Sequence, residues 1–402
     1  MVNWKKNLVV IWISQFLSIM GFTFAIPFAP FYMQELGVTD QYRLGRYVFW
    51  FAAAAPLSLA VFSPIWGVLA DRYGRRLMML RANFGAAIFL ALMGLVDSAQ
   101  MLIVIRLFQG VLTGTMTAAQ TMVAVDTPPN RSGFALGTLA SGVYSGAMAG
   151  FALGGWSADT YGYRPAFIIA SGLLLLAGLM IVFGAEEKFT RPEATERTTL
   201  RRLGIQMSKL RVVSWVLLLI AITALVRRFD TAYLPLLVQD IHGAVSGSSS
   251  RTGLVMGISA IAGFLSGPAL GHLSDRYGAA TVAKYAAIAG GVFMLPQAWI
   301  TSLGSLVAIR LAVALCVGGL EPVFQAWIAR SSPGKDHGLI FGWVTTSRSL
   351  GGVLAPAGGW VVFRSLGLRP VFAAAGVLTV LLGLGIPTLM KKAHLLSSGN
   401  SS

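Results

Sequence analysis

Twelve apolar segments follow one another along this 402-residue chain, each about as long as the roughly 20 residues a helix needs to cross a bilayer. They run roughly over 8–31, 46–71, 77–96, 100–125, 134–158, 165–184, 213–238, 253–275, 281–301, 305–328, 338–363 and 370–390. A segment in lipid must satisfy its own backbone N–H and C=O groups, which restricts it to a helix or to a strand of a closed barrel. Barrel strands alternate polar and apolar residues over about ten positions, and these segments do not. The predicted fold is therefore all-α and integral to the membrane, with 12 transmembrane helices. Charged residues make up 11% of the chain, against about 25% in a soluble domain, so a water-soluble fold of this length would lack polar surface.

The first segment follows a basic start, "MVNWKK", as a signal peptide does. Its apolar run is too long, however, and no small-residue cleavage site closes it; a retained first span is expected. The net charge of +16 does not point to nucleic acid, because the bases sit between apolar segments and not on an amphipathic face. Lys5, Lys6, Arg72, Arg75, Arg76, Arg81, Arg131, the linker bases, Arg276, Lys284, Arg330, Lys335, Lys391 and Lys392 fall on one side of the predicted topology. Only Arg43, Arg46, Arg164, Arg251, Arg364 and Arg369 fall on the other. By the positive-inside rule the first side is cytoplasmic, and both termini lie there. One cysteine, Cys316, and four scattered histidines provide neither a disulfide nor a metal-ligand spacing. No metal or cofactor is expected, and no nucleophile–base constellation supports an enzyme.

The chain repeats itself. "PIWGVLADRYGRR" (64–76) returns as "PALGHLSDRYGAA" (268–280), 204 residues on. "IRL" (105–107) returns at 309–311, "GGW" (154–156) at 358–360, and "YGYRPAF" (161–167) as "LGLRPVF" (366–372). Two pseudo-symmetric six-helix bundles, 1–184 and 213–402, are expected, joined by a cytoplasmic linker over 185–212. Such parallel repeats occur in one large transporter architecture. Within the linker, "LRRLGIQMSKLR" reads equally as a surface amphipathic helix or a solvated loop.

Polar residues inside apolar spans are expensive and mark function by default. In the fourth span Arg106, Gln109, Thr113, Thr117 and Gln120 are spaced 3, 4, 4 and 3 apart, which predicts one polar helical face turned to a water-filled cavity. The tenth span carries Arg310 and Glu321, eleven apart and predicted on one face. The seventh, "LVRRFDTAYLP", carries Arg227, Arg228 and Asp230, with Arg227 and Asp230 placed to pair at i, i+3. Arg348 in the eleventh span has no acidic neighbour in sequence; it meets Asp230 or Glu321 across the cavity, or binds an anionic group of a ligand. Polar helix–helix contacts account for the threonines but poorly for Arg and Glu. Tyr144, Met148, Phe229 and Tyr233 are candidate cavity residues, with packing as the competing role.

Along essentially its whole length the sequence resembles the major facilitator superfamily. "GVLADRYGRR" is similar to the family's signature between helices 2 and 3, here Gly67, Asp71, Arg72, Gly74 and Arg75, with an echo at Gly271, Asp275 and Arg276. "RLFQGVLTG" (106–114) resembles the second motif. "GVYSGAMAGFALGG" (142–155) resembles the glycine-rich antiporter motif, with Phe151 where the family usually has proline. Together they resemble the bacterial drug:proton antiporter branch. The resemblance implies two bundles around a central cavity in the bacterial inner membrane. It further implies alternating access, and export of small amphiphilic compounds against protons by a monomer. It implies that Asp71 and Arg75, with Asp126, form a cytoplasmic latch. Asp230 and Glu321 look like acidic residues that some exporters of the branch carry on helices 7 and 10. An arginine beside Asp230 stabilises its charged form and burial of Glu321 favours its protonated form, so Glu321 is the expected principal proton site and Asp230 the second. Arg106, Arg227, Arg228, Arg310 and Arg348 are assigned to charge tuning, because a guanidinium does not give up its proton. Two alternatives stay open: an exporter or flippase of an anionic or zwitterionic molecule, and a transport-inactive membrane sensor or scaffold.

Overall fold

The computed structural model describes residues 3–128, 131–187, 189, 211–321, 323–324 and 337–398. Among them the secondary structure is helical, without strands. The helices are α1 (Trp4–Ala25), α2 (Ala29–Glu35), α3 (Gln41–Tyr73), α4 (Arg75–Met93), α5 (Ala99–Leu112), α6 (Thr115–Asp126), α7 (Ser132–Tyr161) and α8 (Tyr163–Gly184). Then follow α9 (Arg211–Arg228), α10 (Leu234–His242), α11 (Ser248–Tyr277), α12 (Ala279–Met294), α13 (Leu303–Val317), α14 (His337–Leu366) and α15 (Leu368–Ser398). Nine helical segments of the described residues are long and apolar enough to cross a membrane. The other three expected spans correspond to α9, α13 and α14, which border or stop short of residues outside the described set. Most of the linker, 190–210, also lies outside it.

The described chain divides into two compact units: Met1–Tyr47 with Val61–Thr199 and Ala244–Gly257, and Val48–Ala60 with Leu200–Gly243 and Ile258–Ser402. They follow the sequence halves except for two short exchanged segments, 48–60 and 244–257. In the first unit α1 packs on α7 and α8, and α4 on α8 and α5. In the second, α9 packs on α14 and α15, and α12 on α15 and α13. These are the same pairings one repeat later. Ser98 and Ser302, 204 residues apart, cap the equivalent helices α5 and α13, each accepting an N–H from the first turn.

Close backbone approach explains the glycine-rich motif. Gly142, Gly146, Gly150 and Gly154 recur every fourth residue, so they form one stripe on α7. A Cβ on Gly146 would collide with the carbonyl of Phe16, and one on Gly154 with that of Phe24, both on α1. Gly155, one position round the helix, sits on the backbone of Ser249 in α11. Helix association in lipid relies on such packing and on interhelical hydrogen bonds, because the hydrophobic effect contributes little there.

Besides short 3-10 turns at Ile26–Phe28 in the first span and Leu295–Ala298 in the ninth, three of the expected continuous spans are interrupted. The fourth stops at Leu112 and restarts at Thr115, with Gly114 at φ 118°, a left-handed conformation that only glycine adopts readily. Freed backbone groups there find partners: Trp66 Nε1 donates to the Val111 carbonyl (2.6 Å) and Arg81 Nη2 to that of Thr113 (3.4 Å). The seventh span unwinds over Phe229–Tyr233 and restarts with Pro235 in the first turn of α10. The tenth loses its regular hydrogen bonding at Gly318 and Gly319, where Gly318 keeps right-handed helical dihedrals and Gly319 N–H is taken by Ser266 Oγ (2.9 Å). Irregular backbone at membrane depth survives only where protein or water satisfies it.

Candidate functional site

The breaks position the charged residues of the second unit. Arg227 and Arg228 close α9, and Asp230 falls in the turn that follows. The i, i+3 pairing of Arg227 with Asp230 required a continuous helix, and it does not form. Asp230 is fully buried and is paired by Arg310 Nη2 of α13 instead. Arg310 also lies 5.7 Å from the Phe372 ring centroid. Asp230 Oδ1 and Arg310 Nε have no hydrogen-bond partner among the described residues, so a single contact joins the pair there. Breaking such a pair leaves an uncompensated buried charge.

Arg227, Arg228, Glu321 and Arg348 line a cavity of about 140 Å³ in the same unit, with Thr223 beside them and Ile220, Ala224, Phe324 and Val344 as its apolar wall. Arg348 Nη2 is 2.5 Å from Glu321 Oε1, and Arg227 Nη1 is 3.2 Å from Glu321 Oε2. Each carboxylate oxygen therefore has its own guanidinium, one from α9 and one from α14. The Glu321 side chain remains 38% exposed, so cavity water reaches it. Arg228 is open to the cavity as well and carries no hydrogen bond or ion pair among the described residues. Of the alternatives for Arg348, the structure realises contact with Glu321. Arg310 and Glu321, expected on one face, sit in separate ion pairs. Phe229 and Tyr233 do not line this cavity. Both are buried against Gly358 and Gly359 of α14, with Tyr233 Oη donating to the Pro356 carbonyl (3.0 Å).

In the first unit Arg106 Nη1 donates to Gln109 Oε1, and Gln109 is fully buried. Thr113 Oγ1 turns back to the Gly110 carbonyl (3.1 Å). The turn at Gly114 interrupts the polar face before Thr117 and Gln120, which are exposed. Tyr144 is half-buried and Met148 exposed on α7.

The signature corner is a helix–glycine–helix turn. Gly74 has φ 92° and serves as N-cap of α4 without a capping side chain of its own. Glu187 supplies it, accepting from Arg75 N–H (2.8 Å) and Arg76 N–H (2.8 Å). Asp126 accepts from Asn7 Nδ2 of α1 (2.7 Å), and Lys6 pairs with Glu186 (2.8 Å). The Asp71 side chain lies outside what is described. Arg72 lies over Tyr73 and Arg276 over Tyr277, at 5.4 and 5.3 Å from the ring centroids. Nothing lies within 4 Å of a Cβ built on Gly67 or Gly271. The second corner has Gly278 at φ 86° with open space around it, and Asp275 is exposed. Lys391 stands 204 residues after Glu187, so this corner inherits a base where the first has its capping acid.

A further carboxylate escaped the sequence reading. Asp159, near the end of α7, accepts from the backbone N–H groups of Ser250 (2.7 Å) and Ser249 (3.3 Å) in the first turn of α11. Tyr163 Oη and Ser249 Oγ lie 3.2 Å apart beside it. The signal was present: "ADTYG" (158–162) echoes "ADRYG" (70–74), and Gly162 has φ 91°.

Comparison with known proteins accords with this geometry. A family model described as Major Facilitator Superfamily matches residues 11–250 and 229–395. Multidrug resistance protein MdtG of Escherichia coli is 33% identical over 381 residues, covering 94% of this chain and 92% of the relative. Among solved structures, that of the nucleoside transporter NupG superposes with a TM-score of 0.76 at 14% identity, covering 95% of this chain and 99% of NupG. The human organic anion transporter MFSD10 (TETRAN) gives 0.67 at 17% identity, covering 96% and 100%. At those identities the two structures speak for the fold alone.

Proposed function

The chain belongs to the major facilitator superfamily, and we propose that it exports small amphiphilic compounds by proton antiport. It is a membrane transporter and not an enzyme. In our reading two bundles, 1–184 and 213–402, alternate access in the bacterial inner membrane, with both termini and the 185–212 linker cytoplasmic and the protein a monomer. The observation that carries the proposal is Glu321, a water-accessible carboxylate held by two guanidiniums in a cavity with an apolar wall. A proton arriving on Glu321 removes the charge that holds Arg227 and Arg348 together, so proton binding changes the cohesion of α9 and α14. Such a difference between states needs only a few kcal/mol to shift their populations. Asp230 is the second proton site, reached only when its pairing with Arg310 opens. The corner around Asp71, Gly74, Arg75 and Asp126 is the proposed cytoplasmic gate, to which Glu187 and Asn7 are added on their contacts.

The test is Glu321→Gln in proteoliposomes with an imposed proton gradient. Gradient-driven flux should be lost while ligand binding to purified protein remains measurable. Full proton-coupled flux in that variant would refute the assignment.

A further inference from the structure

We infer that the α9–α14 pocket recognises an oxyanion, a phosphate, phosphonate or carboxylate group, and that Glu321 occupies the place of that group when the pocket is empty of substrate. The inference rests on reading this pocket as the substrate site and adds the charge class of what it takes. Among the described residues three guanidiniums and one carboxylate line the cavity, so these sum to +2. The charged groups acting on Glu321 are Arg227 and Arg228 from α9 and Arg348 from α14. Two of them clamp its two oxygens from opposite helices. Each gives one charge-assisted contact to one oxygen, so together they embrace the carboxylate from two sides with the planar donors that suit an oxyanion. Arg228 is the third cation, open to the cavity and without a hydrogen bond or ion pair among the described residues. A cationic ligand would add a fourth positive charge with a single, already doubly paired carboxylate to receive it. An oxyanion would find one guanidinium that is unpaired among the described residues at once, and two more if Glu321 lets go.

Competition between Glu321 and the ligand fixes the sign of the proton linkage. A proton on Glu321 releases Arg227 and Arg348 to the incoming oxyanion, so lower pH favours anion binding. Proton and anion enter together at this pocket. The antiport proposed above then needs both carboxylates: Glu321 couples its proton to ligand binding, and a second site, Asp230 paired with Arg310, takes the proton that moves against the ligand. The apolar wall of Ile220, Ala224, Phe324 and Val344 suits a hydrocarbon portion attached to the oxyanion.

The experiment is equilibrium binding to the full-length protein in nanodiscs, at neutral pH and about two units below. Dodecyl phosphate, dodecyltrimethylammonium and dodecanol share a tail and differ in headgroup charge; methylphosphonate supplies the anion without a tail. Dodecyl phosphate is expected to bind at least about tenfold more tightly than the ammonium probe, and more tightly at the lower pH. Arg228→Ala should weaken it by about tenfold or more, with Arg228→Lys retaining most of the affinity. Glu321→Gln should strengthen it by about tenfold and reduce the pH dependence to that of the probe's own second ionisation, at about pH 6. Methylphosphonate binding that responds to the same variants supports a water-soluble anion as the natural ligand; response of the dodecyl compound alone supports an amphiphile or lipid. Preference for the ammonium probe, with binding still sensitive to Arg228 and Glu321, would overturn the anion inference and leave the pocket as the substrate site. If no probe responds to either residue while the protein still transports, the reading of the pocket itself falls.

Discussion

Replacing Asp159 by alanine is expected to loosen the start of α11 by about 2 kcal/mol. The first-turn N–H groups of a helix have no intrahelical acceptor, and here Asp159 provides the acceptor for Ser249 and Ser250 from another helix. Loss of a capping side chain costs about 0.5–2 kcal/mol, and a carboxylate at a helix N-terminus adds roughly 0.3–1 kcal/mol through the dipole. About 2 kcal/mol is roughly a thirtyfold change in a local opening constant. Asp159→Asn keeps an acceptor but loses the charge, so about 1 kcal/mol, or roughly fivefold, is expected. Hydrogen exchange on the full-length protein in nanodiscs reads these amides directly, because local opening sets their protection. Exchange at Ser249 and Ser250 should accelerate in the order wild type, Asn, Ala, while the amides of α12 stay unchanged. Equal protection in all three proteins would show that the interaction contributes nothing to the α7–α11 junction. Acceleration spread evenly over the first unit would show that Asp159 supports the fold at large and not this helix end.

Two further outcomes follow from the packing and the buried charges. Gly146→Ala places a Cβ against the Phe16 carbonyl and should destabilise by about 1–3 kcal/mol. Gly137→Ala on the same helix meets open space and should be neutral or stabilise by up to about 1 kcal/mol; thermal midpoints of the purified variants compare the two. Arg310→Met should cost about 3–5 kcal/mol by stranding Asp230, and the double variant Asp230→Leu/Arg310→Met should recover most of it, as a double-mutant cycle in denaturant would measure.

The spans, the repeat and the corner loops were legible because each rests on a local rule. Apolar length, the placement of Lys and Arg, and the register of "DRYG" need no knowledge of what packs against what. The breaks were not legible, because glycine inside an apolar run carries two meanings. Gly146 is helical and lets a neighbour approach; Gly114 is left-handed and ends a helix. Nothing in the flanking residues separates these cases, and the one-face argument for the fourth span failed at Gly114. The ion pairs failed for a related reason. Arg227 stands three residues from Asp230 but 94 from Glu321, its observed partner, and only the tertiary arrangement reverses that preference. Asp159 and Glu187 show the opposite case. Their acidic character at helix ends was visible, but the helix ends they serve lie 91 and 112 residues away.

The polar stripe of α1 bears on how the protein is made. Ser14 donates to the Ala177 carbonyl (3.0 Å), Ser18 to Asn83 (2.5 Å), and Asn7 to Asp126 and the Glu186 carbonyl (2.7 and 2.6 Å), while Gln15 accepts from Thr115 (3.4 Å). None of these partners exists when α1 leaves the ribosome. Ala177 is 163 residues behind Ser14, an interval of about 8–30 s at ordinary rates of synthesis. For that time α1 has hydroxyl and amide groups to satisfy and lipid tails that satisfy none of them. The helix that anchors the finished first unit thus reaches the bilayer before these partners do, and its lateral release is expected to wait for α8.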